Sequence, residues 1–79
     1  MTLAFVFVEC QEGQATAVKK STSKIRGVQE THSISDSDFD LVVKVDTKDE
    51  QSLDSVLGAV RRVSGIAAVA TSIVCRSLH

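Results

Sequence analysis

At 79 residues, with nine basic and ten acidic side chains and a net charge of −1, the chain has room for one small domain and one core. Its balanced charge gives no electrostatic footprint for nucleic acid or an anionic membrane surface. No apolar run approaches the roughly 20 residues that span a bilayer, so a soluble cytoplasmic protein is expected.

Leu3 to Val8 is the first expected strand. It is apolar at both parities, as in a strand at the centre of a covered sheet. Leu3, Phe5 and Phe7 have core spacing, which leaves Ala4, Val6 and Val8 on the opposite face. Glu9 to Gly13 is a polar turn. From Gln14 to Ile25, the positions Ala15, Val18 and Ile25, with Thr22 between, follow a helical stripe. Gly27 supplies the positive φ that commonly ends a helix. Val28 to Ser35 is a polar edge strand, Asp36 to Asp38 a hairpin connection, and Phe39 to Val45 the second central strand. Thr47-Lys-Asp-Glu50 reads as a capping box. It starts a helix with Leu53, Val56, Leu57, Val60 and Val63 on one face, closed by Gly65. Ile66 to Cys75 is the last strand, and Arg76 to His79 is a fraying end.

An offset of 38 residues lays one half of the chain on the other: Leu3–Val8 on Leu41–Asp46, Val18 on Val56, Ile25 on Val63, Gly27 on Gly65. Two right-handed βαβ halves predict an α+β, ferredoxin-like βαββαβ fold. The four-stranded antiparallel sheet has the order 4-1-3-2, with both helices on one face. Ala4, Val6, Val8 and Val42 then point to the uncovered face. A patch of that size is larger than monomers normally expose. A second copy is the simplest cover, so a homodimer packed sheet on sheet is expected.

The densest polar cluster runs from Ser33 through Ser35, Asp36, Ser37, Asp38 and Phe39 to Asp40. Asp36, Asp38 and Asp40 mimic the start of a calcium loop. No glycine makes its sharp turn, however, and Thr47 stands where the closing glutamate belongs. His32 lies on an edge strand and His79 at the chain end, so neither suits a general base. Cys10 sits among acidic neighbours that disfavour a thiolate. An intrachain bridge to Cys75 would span on the order of 20 Å at about 3.4 Å per residue along the strands. No metal-ligand spacing, phosphate loop or exposed aromatic platform appears, so neither a metal nor a cofactor is expected.

The run Ser37-Asp-Phe-Asp40-Leu-Val-Val-Lys-Val-Asp46, with Ile25-Arg-Gly27-Val, Val63-Ser-Gly65-Ile and Thr71-Ser72-Ile73-Val74, resembles the ligand-binding (RAM) domain of the Lrp/AsnC transcription-factor family. The resemblance covers essentially the whole chain, residues 1–79. It implies a single effector-binding and oligomerisation domain, in the stand-alone form without a helix-turn-helix. Dimers, rings of dimers and an amino-acid-like effector held between dimers are implied with it. Transcription would be modulated by assembly with a full-length regulator, and no catalytic step is implied. Matched residue by residue, Asp40 is the hairpin aspartate, Phe39 its aromatic neighbour, and Thr71 and Ser72 the polar pair of the last strand. Ser37 stands where the family prefers glycine, and Asp38 adds charge. A zwitterion needs a carboxylate for its ammonium and donors for its carboxylate. Asp40, with Ser33, Ser35 and Thr71 or Ser72 of a neighbouring subunit, offers both. Two other readings share the topology. A dimeric α+β barrel enzyme, of the small monooxygenase or isomerase type, would need a cavity lined by His, Tyr, Trp or Asn. An ACT-like amino-acid sensor would need a glycine-rich turn after the first strand, matched here only by Gly13.

Overall fold

The computed structural model describes residues 2–74. In chain order the elements are β1 (Thr2–Cys10), α1 (Ala15–Ser23), β2 (Val28–Ser33), β3 (Leu41–Thr47), α2 (Glu50–Arg61) and β4 (Ile66–Val74). They form one antiparallel sheet in the order β2-β3-β1-β4, the expected order read from the other edge. Cys75 and the Arg76–His79 end lie outside the described residues.

The helices differ in how well their sequences specify them. In α2, Leu53, Val56, Leu57 and Val60 are buried at i, i+3, i+4 and i+7, a full core-facing stripe. Its cap is not Thr47, as the sequence suggested, but Asp49, whose carboxylate accepts from the Ser52 N–H at 2.7 Å. Thr47 instead ends β3 and donates to the Asp49 carbonyl (2.9 Å). A cap must stand outside the helical region, and Asp49 does so, with extended backbone at φ −153°. Helix α1 buries only Val18 and Thr22 and stops at Ser23, short of the expected Ile25. Thr22 and Ser23 turn their hydroxyls back on the Val18 and Lys19 carbonyls (2.9 and 2.7 Å), which competes with continued helix.

The capping hydrogen bond from the Ser52 backbone holds the Asp49 carboxyl below its usual range. A depressed folded-state pKa gives stability that is fully present above the unfolded carboxylate's pKa. That stability is lost as pH falls through the folded value. Asp49→Ala should therefore lower the urea midpoint at neutral pH, and the gap to the parent should close on acidification. Chemical denaturation at several pH values reads both.

Both glycines that close the helices have positive φ, +101° at Gly27 and +97° at Gly65. Each packs against the helix of the other half. A Cβ on Gly27 would stand 2.5 Å from Val56 Cγ2, and one on Gly65 would stand 3.0 Å from Val18 Cγ2. The 38-residue offset thus relates both the glycines and the valines they touch.

That offset fails in the strands. Ala4, Val6 and Val8 do not face the open side; they are buried under the helices with Leu41, Val43 and Val45. The ladder pairs Ala4 with Val45, Val6 with Val43 and Val8 with Leu41, and residues directly opposite share a face. The open face carries Leu3, Phe5, Phe7 and Val42 instead, all half-buried. Of the four residues expected there, only Val42 was placed correctly. Alignment at 38 had set Ala4 on Val42; the covered faces match at 37, Ala4 on Leu41 and Val6 on Val43. A shift of one residue exchanges the faces of a strand. The larger side chains of β1 therefore point away from the helices. On β4, Val74, Ser72 and Ala70 share the open face, paired with Leu3, Phe5 and Phe7. Its β2 side is polar: Glu30 meets His32 at 3.0 Å and Lys44 at 3.5 Å. The His32 hydrogen bond, then Lys44, holds the Glu30 carboxyl below its usual range.

Candidate functional site

The hairpin between β2 and β3 is held by side chains as much as by the ladder. Ile34 N–H donates to the Asp40 carbonyl (3.0 Å), and Asp40 N–H donates to the Val8 carbonyl (2.8 Å). The Asp40 carboxylate reaches across to β1, where Oδ2 accepts from Cys10 N–H at 2.8 Å. Strand β1 is irregular there, with a register shift against β4 between Glu9 and Cys10. On the β3 side the ladder ends at the Val8–Leu41 pair, so the Cys10 amide just beyond it finds its acceptor in the Asp40 side chain. Inside the loop, Asp36 Oδ2 accepts from the N–H groups of Asp38 (3.0 Å) and Phe39 (3.2 Å). This is an Asx turn, which fixes the tip without glycine. Among the described residues every positive φ belongs to a glycine, so Ser37 adopts an ordinary backbone conformation. Phe39 lies in the loop rather than in β3 and packs on Phe7, ring centroids 5.7 Å apart.

Glu9, Asp36, Ser37, Asp38 and Asp40 are all exposed at this pole. Burial, then the Asp40 charge, pushes the Cys10 thiol up, away from thiolate chemistry. Ser35 is exposed beside the turn. Ser33 lies on the helix-facing side opposite Leu41, where its hydroxyl meets Lys19 Nζ at 3.5 Å.

The expected residues therefore fall into two groups. Ser33, Ser35, Ser37, Asp38, Phe39 and Asp40 share the hairpin pole. Thr71 and Ser72 do not join them, because they pair with Val6 and Phe5, well down β1. Two strand spacings across and about three residues along put them on the order of 14 Å from Asp40. Thr71 and Ser72 face opposite sides of the sheet, so at most one of them can serve a given pocket. The sequence reading also missed a cleft of about 640 Å³ at the other pole, between the turn at Gly27 and α2.

Comparison with known proteins bears on what these poles do. The family model described as the Lrp/AsnC ligand binding domain matches residues 3–79. The homocitrate synthase of Sulfurisphaera tokodaii is 36% identical over 76 residues, which cover 95% of this chain and 16% of that protein. The chain thus spans only about 16% of the length of the curated relatives it matches. A Thermus thermophilus protein superposes with a TM-score of 0.89 at 25% identity, over 100% of this chain and 99% of that one. A Neisseria meningitidis transcriptional regulator solved as an L-Met complex superposes at 0.79 with 17% identity, over 99% of this chain and 52% of that one. At that identity the likeness is one of fold. Among the described residues no helix is long and apolar enough to cross a membrane.

Proposed function

We propose that this chain, which belongs to the Lrp/AsnC ligand-binding domain family, is a non-catalytic module that dimerises through its open sheet face and binds an amino-acid-like effector at the hairpin pole. The observation that carries the reading is the uncovered face itself: Leu3, Phe5, Phe7 and Val42 stand where no helix reaches. Burying that face against a second copy removes apolar area from water and brings β4 of one protomer near the sheet of the other. A ring of dimers would then set hairpins beside neighbouring subunits, the arrangement Thr71 or Ser72 needs to join Asp38 and Asp40. Asp40 has one oxygen committed to Cys10, so it shapes the hairpin and offers its second oxygen to an ammonium group. Asp38 is the exposed carboxylate that completes the attraction. The L-Met complex of the Neisseria regulator supports an amino acid as the class of effector.

Two settings for the module follow. In one it assembles with a full-length regulator of the same family. In the other it acts as the regulatory unit of a biosynthetic enzyme, a reading favoured by the 36% identity to a homocitrate synthase. A thermal-shift screen against the common amino acids tests the shared core of both. At a hundredfold excess over its dissociation constant, an effector adds about 2.7 kcal/mol to stability, a shift of several degrees. Asp38→Asn and Asp40→Ala should each remove that response while the dimer persists in sedimentation. A flat response to every amino acid would leave assembly as the only role.

A further inference from the structure

The pole opposite the hairpin holds a cleft that neither the family reading nor the hairpin accounts for. Its walls are the turn Ile25–Gly27, the stretch from Asp46 to Lys48 where β3 ends, and the side of α2 that carries Ser52, Ser55, Val56 and Ala59. The pseudo-symmetry explains why it is open. At the related position beside Gly65, the Gln14 side chain packs against the glycine, with Cβ 3.0 Å and Cγ 3.4 Å from where a Gly65 Cβ would stand. The residue 38 positions on from Gln14 is Ser52. Ser52 lies inside α2, whereas Gln14 stands just before α1, and Ser52 does not come as near: at Gly27 the three nearest atoms all belong to Val56. One half of the duplicated unit packs a side chain from the start of its helix against the opposite glycine, and the other does not.

The chemistry of the vacant groove is specific. Arg26 and Lys48 bring two cations to its rim, and among the described residues neither has an ion-pair partner. Ser52 lies in the wall, and the hydroxyls of Thr47 and Ser55 donate to the Asp49 and Gln51 carbonyls. Val56 and Ala59 supply an apolar floor. Asp46, the one acid in the lining, repels an anion toward the cations. We propose that this cleft binds a small organic carboxylate with a short aliphatic body, its head at Arg26 and Lys48 and its chain over Val56 and Ala59. A guanidinium offers a carboxylate two parallel hydrogen bonds, and the floor removes a few methylenes from water. The site is independent of the hairpin and of any effector bound there.

Amide chemical-shift titration of the full chain with butanoate tests it, with butanamide and inorganic phosphate as controls. Butanoate should move the signals of Gly27, Ser52 and Ala59, and butanamide should not. Ser52→Gln, which adds a longer side chain to the cleft wall, should abolish the response with the rest of the spectrum intact. Arg26→Gln should weaken binding about tenfold. Asp46→Asn should strengthen it, whereas a zwitterionic ligand would bind that variant more weakly. No shift with butanoate, an unchanged response in Ser52→Gln, or an equal response to phosphate would overturn the assignment.

Discussion

Gly27→Ala should destabilise the fold by about 3 kcal/mol, combining the strain of a non-glycine residue at unfavourable positive φ with overpacking of a filled contact. The added methyl would lie 2.5 Å from Val56 Cγ2 on a backbone at φ +101°. Gly65→Ala provides the internal comparison. Its φ is similar at +97°, but the nearest atoms stand at 3.0 Å and include the Gln14 side chain. Backbone strain alone would make the two variants equal; packing ranks Gly27→Ala as the worse. Val56→Ala in the Gly27→Ala background should recover the packing part and leave the strain, so urea denaturation of the four-member cycle separates them. A domain of this size has stability of order 0.1 kcal/mol per residue, so the single change takes more than a third of the total.

Phe5→Glu should break the proposed dimer without touching the helix-covered core. Phe5 sits in the middle of the open face, between Lys44 on β3 and Ser72 on β4. In a sheet-on-sheet dimer it becomes a buried aromatic, and a charge there would be buried twice across the two-fold axis. Its removal should raise the dimer dissociation constant on the order of a hundredfold or more. Sedimentation equilibrium should then give the protomer mass. The melting temperature should fall and be less steeply dependent on protein concentration than the parent's. Val6→Glu is the contrast, because Val6 is buried beneath the helices and its replacement should unfold the chain outright. A Phe5→Glu variant that sediments as a dimer would move the interface elsewhere.

The architecture was legible because each element carried its own signal. Gly27 and Gly65 stop the helices, the Leu53–Val60 stripe writes α2, and two apolar strands can lie only in the middle of the sheet. The faces of β1 were not legible. Alternation alone cannot say which parity faces inward, and a phenylalanine reads as core whether a helix or a second copy is its cover. Nor does local sequence decide between Thr47 and Asp49 as a cap, since that depends on where β3 releases the backbone. At the candidate site, residues adjacent in sequence stayed adjacent in space, so the hairpin set from Ser33 to Asp40 held together. Its fixing contact, Asp40 to Cys10, joins positions thirty apart and has no sequence signature. The cleft at Gly27 was invisible for the same reason, because its walls come from segments far apart in sequence.

Phe5, Phe7 and Phe39 are the chain's only aromatic residues, and none lies in the helix-covered core. The near-ultraviolet circular dichroism of this protein is therefore a spectroscopic report on the open face and the hairpin loop that Phe39 joins to it. It should follow the proposed pairing of subunits and the packing of Phe39, while the far-ultraviolet band follows the backbone.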